Sequence, residues 1–173
     1  MVRCQGMTLV ELMVVIACLA ILLRLGATGY SGWQQRQRLD QLMLQVQSDI
    51  LWARQQVLTR QSPTNLSVRF FPGSRWCYRV TDQGAASCSG CEAACGLTGY
   101  AGIKGSDSQA WPGIQLAEAA LPAQTLGFDA RRGGMTAGSL HWQSSAGSRR
   151  LVINGYGRLR LCAGATAQEA MAC

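Results

Sequence analysis

The sequence predicts an α+β fold in which one long N-terminal helix lies on an antiparallel β-sheet domain. Three observations carry this. Met7 to Leu23 is a seventeen-residue apolar run with a single charge, Glu11. Apolar residues then recur at three- and four-residue steps: Leu39, Leu42, Met43, Val46, Ile50, Ala53 and Val57. From Leu66 onward the period changes to two, the signature of half-buried strands.

As a helix the first run is roughly 25 Å long, just within the range that crosses a bilayer. Gly26-Ala27-Thr28-Gly29 and Ser31-Gly32 follow and are expected to loosen the helix, since each Gly costs about 1 kcal/mol relative to Ala. In the next stretch Gln41, Gln45, Asp49 and Arg54 fall between the apolar positions, giving one face for a domain and another for solvent or neighbouring subunits. Pro63 lies just beyond the end of this pattern, so the helix is expected to run from about Thr8 to Thr59.

Leu66, Val68 and Phe70 alternate with polar neighbours, Pro72-Gly73 marks a turn, and Trp76, Tyr78 and Val80 alternate again, which predicts a β-hairpin. Residues 84–109, rich in Gly, Ser, Ala and Cys, read as a long loop pinned by disulfides. Short strands are expected at Ile114 to Leu116, Leu126 to Asp129, Ser139 to Trp142, Arg149 to Ile153 and Gly157 to Cys162. Turns such as Arg132-Gly133-Gly134 and Asn154-Gly155 separate them. The tail from Ala163 to Cys173 is rich in small residues.

With the apolar run set aside, the 173-residue chain has room for one globular domain. Sixteen basic against nine acidic residues give a net charge of +7, and Lys104 is the sole lysine. An arginine-dominated surface suits an anionic partner, nucleic acid or a membrane, although a basic surface without a partner has the same composition.

Eight cysteines fit an oxidising compartment. Cys4 precedes the apolar run and Cys18 lies in it, leaving Cys77, Cys88, Cys91, Cys95, Cys162 and Cys173 as disulfide candidates. The spacing of Cys88, Cys91 and Cys95 also resembles metal-ligand spacing, but a closed zinc site needs four ligands, so only His141 or a distant Cys could complete it. Disulfides are the better account, and no metal is expected. His141 is the sole histidine, expected on an exposed or half-buried strand. No Gly-x-Ser-x-Gly elbow or Gly-rich phosphate loop is present, so neither an enzyme nor a cofactor is expected.

Glu11 is the informative charge. A carboxylate at hydrocarbon depth costs on the order of 2.5–3.5 kcal/mol and needs a cation. Cleavage after Gly6 would place a new amine on Met7, one helical turn from Glu11. A secretory signal is the competing reading, with Gly26-Ala27-Thr28-Gly29 as its cleavage site, but its apolar region should carry no charge.

The leader ending in Gly6, followed by Thr8-Leu9-Val10-Glu11 and the apolar run, resembles the class III signal of type IV pilins and type II secretion pseudopilins. The resemblance implies that a prepilin peptidase cuts after Gly6 and methylates Met7, and that Glu11 pairs with an adjacent subunit's amine during assembly. Met7 departs from the family's usual Phe. It further implies a leader over 1–6, a transmembrane half of the helix over 7–28 and a periplasmic or extracellular pilin-like domain over 29–173. Such a chain crosses the inner membrane once before assembly and then joins a pilus at the cell surface, with other pilins as partners. Pilins often close the tail with a disulfide, which implies Cys162 with Cys173, while Cys77 pairs with a cysteine of the 84–109 loop.

Near the C-terminus lie Arg149-Arg150 and then Gly157-Arg158-Leu159-Arg160. On a strand Arg158 and Arg160 share a face about 6–7 Å apart, comparable with successive phosphates of one DNA strand. Tyr156 adds an aromatic. Together with Phe128-Asp129-Ala130-Arg131, these segments resemble the soluble domain of GspH/FimT-type minor pilins. FimT members bind DNA through Gly-Arg-x-Arg, which here implies DNA binding for natural transformation by Arg158 and Arg160, with Gly157, Arg149 and Arg150 beside them. The alternative is a structural or priming minor pilin, or a pseudopilin of type II secretion, without DNA binding.

Overall fold

The computed structural model describes residues 9–59, 66–82, 88–91, 95, 97 and 104–164, with backbone alone for 25–29. The expected leader with Gly6 and Met7, and the tail from residue 165 to Cys173, lie outside the described residues. The chain divides into two compact units, Met1–Gln34 and Gln35–Cys173.

Helix α1 is Leu9–Leu58, with Glu11 in its first turn. It continues through Gly26, Gly29 and Gly32, where a loosening was expected. Glycine lowers helix propensity but, unlike proline, keeps its N–H donor, so the hydrogen-bond ladder survives. In the first unit Leu9, Val10, Met13, Ile16, Ile21, Leu22 and Leu23 are exposed. No helix among the described residues is long and apolar enough to cross a membrane. The expected membrane-crossing segment, residues 7–28, begins at Met7 and Thr8, which lie outside the described residues.

In the second unit α1 buries the residues that its periodicity marked: Leu39, Leu42, Met43, Val46, Ile50, Ala53 and Val57. They join one core cluster with residues from two antiparallel four-stranded sheets. The first has the order β3-β2-β1-β5, formed by Gly105–Asp107, Cys77–Thr81, Ser67–Phe71 and Thr125–Gly127. The second has the order β4-β6-β7-β8, formed by Ile114–Ala120, Gly138–Ser144, Gly147–Ile153 and Leu159–Gly164.

The expected hairpin is β1 and β2, in register from Ser67↔Thr81 to Phe71↔Cys77. The expected single sheet is two. After β4 a 3-10 turn, Pro122–Gln124, has positive φ at Ala123 (49°) and Gln124 (53°), and it sends β5 to pair with β1 instead of β4. The sheets meet where Gly73 N–H donates to Leu116 O (3.1 Å) and Trp76 Nε1 donates to Ile114 O (2.7 Å). Trp142 packs edge-on against Phe70 and Trp76 in this core.

Asp49, expected between the apolar positions toward solvent or subunits, is buried. Its carboxylate accepts from Tyr78 Oη (2.8 Å) and pairs with Lys104 Nζ (3.1 Å), which also lies over the Trp52 ring. Burial pushes the Tyr78 phenol well above its ordinary range, and the adjacent Asp49 charge and hydrogen bond add to this. The phenol thus stays a donor to Asp49 at any physiological pH.

Asp49→Ala is expected to cost about 1.5–3 kcal/mol, the range for losing hydrogen bonds to a charged group, and more than Tyr78→Phe. Chemical denaturation of the two variants checks this ranking.

Candidate nucleic-acid interface

The basic C-terminal stretch forms the β7–β8 hairpin, closed by Asn154. Asn154 Oδ1 accepts from Tyr156 N–H (3.1 Å) and Arg158 N–H (2.9 Å), and Asn154 O accepts from Gly157 N–H (3.0 Å). Gly157 takes φ +85°, a conformation that glycine adopts without the clash of a Cβ. Tyr156 stands at the tip, 91% exposed. Arg158 and Arg160 are exposed and line one concavity with Val152 and Asn154.

Strand alternation separates the two arginines expected to help them. The register Arg150↔Cys162 and Val152↔Arg160 puts Arg150 on the face of Arg160, because directly opposed residues share a face. Arg150 is half-buried there, with Nη2 donating to Ser139 Oγ (2.9 Å). Arg149 faces the other way, toward α1, where its Nε donates to Asp40 Oδ1 at 2.7 Å and its side chain is only 13% exposed. Arg149 and Arg150, adjacent on one strand, thus point to opposite sides of the sheet.

Sequence reading missed Arg54. Its Nε donates to Gly133 O (2.9 Å) and its Nη1 to Gly157 O (3.4 Å), so one guanidinium on α1 holds the turn after β5 and the β7–β8 turn. A Cβ at Gly157 would lie 2.7 Å from Arg54 Cζ. Gly157 therefore serves the turn and this contact. The two turns also touch directly, with Met135 N–H donating to Gly155 O (3.1 Å), and Arg131 and Arg132 are exposed on the first of them. No signal in the sequence pairs Arg54 with residues some 80 and 100 positions away.

Cys77 pairs with Cys91 and Cys88 with Cys95, as disulfides and not metal ligands. Cys162 is also disulfide-bonded, and its expected partner Cys173 lies outside the described residues. No metal-binding cluster occurs among the described residues.

The type II transport protein GspH family model matches residues 43–157, and the prokaryotic N-terminal methylation motif matches residues 1–23. The chain belongs to the GspH family. The methylation motif contains Gly6, Met7 and Glu11. The GspH match takes in Arg54, Gly133 and Gly157 and closes one residue before Arg158. Comparison with curated proteins and with solved structures gave no match. Members of the GspH and pilin families are structural components.

In this GspH-family chain His141 is buried, where an exposed or half-buried position was expected. It stands on β6 between Glu118 of β4 and Arg150 of β7, and its Nε2 has no hydrogen-bond partner. Burial lowers its pKa from 6.5; Glu118 opposes this and Arg150 adds to it. A depressed histidine favours the folded state when neutral. Its contribution is complete above pH 6.5 and is lost as pH falls below that value toward the folded pKa.

A Gln at His141 should flatten the decline in stability below pH 6.5, measured as the difference from wild type in denaturation midpoints across pH. Gly157→Ala is expected to lower stability by at least about 1–2 kcal/mol, the cost of a left-handed L-residue, with the Arg54 clash in addition. Thermal unfolding checks it.

Proposed function

We propose that this GspH-family chain is a minor type IV pilin that binds extracellular DNA without reading its sequence, for uptake in natural transformation. The observation that carries the reading is the exposed pair Arg158 and Arg160 on one face, with Arg150 beside them and Tyr156 at the tip. Guanidinium groups at strand spacing neutralise phosphates and position a duplex, which gives affinity without base readout. Gly157 shapes the turn, and Arg149 serves the fold.

In this reading a prepilin peptidase cuts after Gly6 and methylates Met7. Residues 7–28 hold the chain in the inner membrane until Glu11 meets a neighbouring subunit's amine and the chain enters the pilus. The methylation motif supports this sequence of events. A second reading, a structural or priming pilin or pseudopilin of type II secretion, draws on Leu44, Leu51 and Leu58. These are exposed on α1 at seven-residue intervals and suit a neighbouring helix.

Duplex binding, followed by fluorescence anisotropy over a salt series, tests the first reading. The double substitution Arg158→Ala, Arg160→Ala should abolish binding at moderate salt, and each single substitution should reduce the log–log salt slope by about one. Arg149→Ala should lower stability and leave the slope unchanged. No binding by the wild type even at low salt would transfer the assignment to the second reading.

A further inference from the structure

We infer that Tyr156 is a stacking platform for an unpaired base, so that the basic hairpin holds single-stranded DNA by a contact it does not make with a duplex. The inference rests on the DNA-binding reading above and adds to its phosphate contacts a second, uncharged one. Among the described residues Tyr156 is the most exposed large apolar side chain, at 91%. Its chain neighbours are Gly155 and Gly157, neither of which has a side chain to lie against the ring. No hydrogen bond or ring contact engages its side chain among the described residues. The ring adds nothing to the core, and its faces are open to a ligand.

The backbone beneath the ring is fixed. Asn154 Oδ1 accepts from the N–H groups of Tyr156 (3.1 Å) and Arg158 (2.9 Å), and Asn154 O accepts from Gly157 N–H (3.0 Å). Behind the turn, Gly155 O accepts from Met135 N–H (3.1 Å) and Gly157 O from Arg54 Nη1 (3.4 Å). A ligand that stacks on Tyr156 therefore orders one side chain with two rotatable bonds and no backbone. The entropic cost of such a contact is low.

The surrounding charge brings a nucleic-acid strand to the ring. Arg158 and Arg160, at the second and fourth positions after Tyr156, are exposed and line one concavity, and the adjoining turn carries exposed Arg131 and Arg132. Guanidinium groups hold the phosphates of either form of DNA, so the arginines alone do not discriminate. The ring does. In a duplex the bases are stacked on one another and offer only their edges in the grooves. Side chains that wedge between paired bases are apolar, such as Phe, Leu, Ile, Met and Pro, whereas tyrosine would lead with its hydroxyl and bury it without a partner. An unpaired base lies on the face of the ring and leaves the hydroxyl in water. Every base has such a face, so the contact tolerates any sequence.

The test is fluorescence anisotropy of the full chain in detergent micelles with two oligonucleotides of equal length, an unstructured single strand and a blunt duplex closed by G·C pairs. Tyr156→Ala should weaken single-strand binding about tenfold, as expected for the loss of one base–aromatic stack, and duplex binding by less than about twofold. Its log–log salt slope should match the wild type on either DNA, because a neutral ring releases no counterions. Tyr156→Phe, which keeps the ring, should bind as the wild type does, and Tyr156→Leu, which keeps only the bulk, should behave as Tyr156→Ala. Unchanged thermal midpoints verify that the variants fold alike. Equal weakening on both DNAs, or none on the single strand, overturns the inference; the DNA-binding reading survives that result if Arg158→Ala, Arg160→Ala still abolishes duplex binding. A wild type that binds neither DNA overturns both.

Discussion

The apolar stripe of α1 from Leu39 to Val57 is the surface on which both sheets depend. Its seven apolar residues are almost wholly buried, and each of them except Ala53 contributes on the order of 1.5–3 kcal/mol of hydrophobic stabilisation before conformational entropy is subtracted. Neither sheet has a second helix among the described residues to cover its inner face. Leu140, Trp142, Leu151 and Ile153 from one sheet and Val68, Phe70, Tyr78 and Val80 from the other meet in a single core with the helix.

Hydrophobic contact is not directional, so polar contacts along α1 fix how the sheets sit on it. Asp40 holds Arg149 of β7, Asp49 holds Tyr78 of β2 and Lys104, and Arg54 holds the turns at Gly133 and Gly157. These contacts occur at successive levels of one helix. The last of them positions the hairpin that bears Arg158 and Arg160, so the presentation of the basic surface depends on a half-buried arginine of the helix.

The same physics sorts the arginines by role. Arg149 and Arg150 are neighbours in the chain but belong to different sides of a sheet, one engaged with a helix carboxylate and the other on the face of Arg160. Arg69 and Arg79, ten residues apart, are brought side by side by the hairpin register. An excess of arginine in the composition therefore divides into structural clamps, an internal charge pair and an exposed row.

Local periodicity and turn chemistry were legible in the chain. The apolar stripe of α1, the β1–β2 hairpin and the short strands from Ile114 onward follow from spacing, because each depends on residues within a few positions of one another, whereas β3 lies in the stretch read as a loop. The N-terminal motif around Gly6 and Glu11 was legible for the same reason. Long-range partners were not: the burial of Asp49, the Arg54 contacts, the splitting of the strands into two sheets by the turn at Pro122–Gln124, and the isolation of His141 between Glu118 and Arg150. The sequence by itself determined which elements form and which face of each is apolar. Only the tertiary structure decided which charges those faces bring together, since strand order and register are set by packing across the whole core.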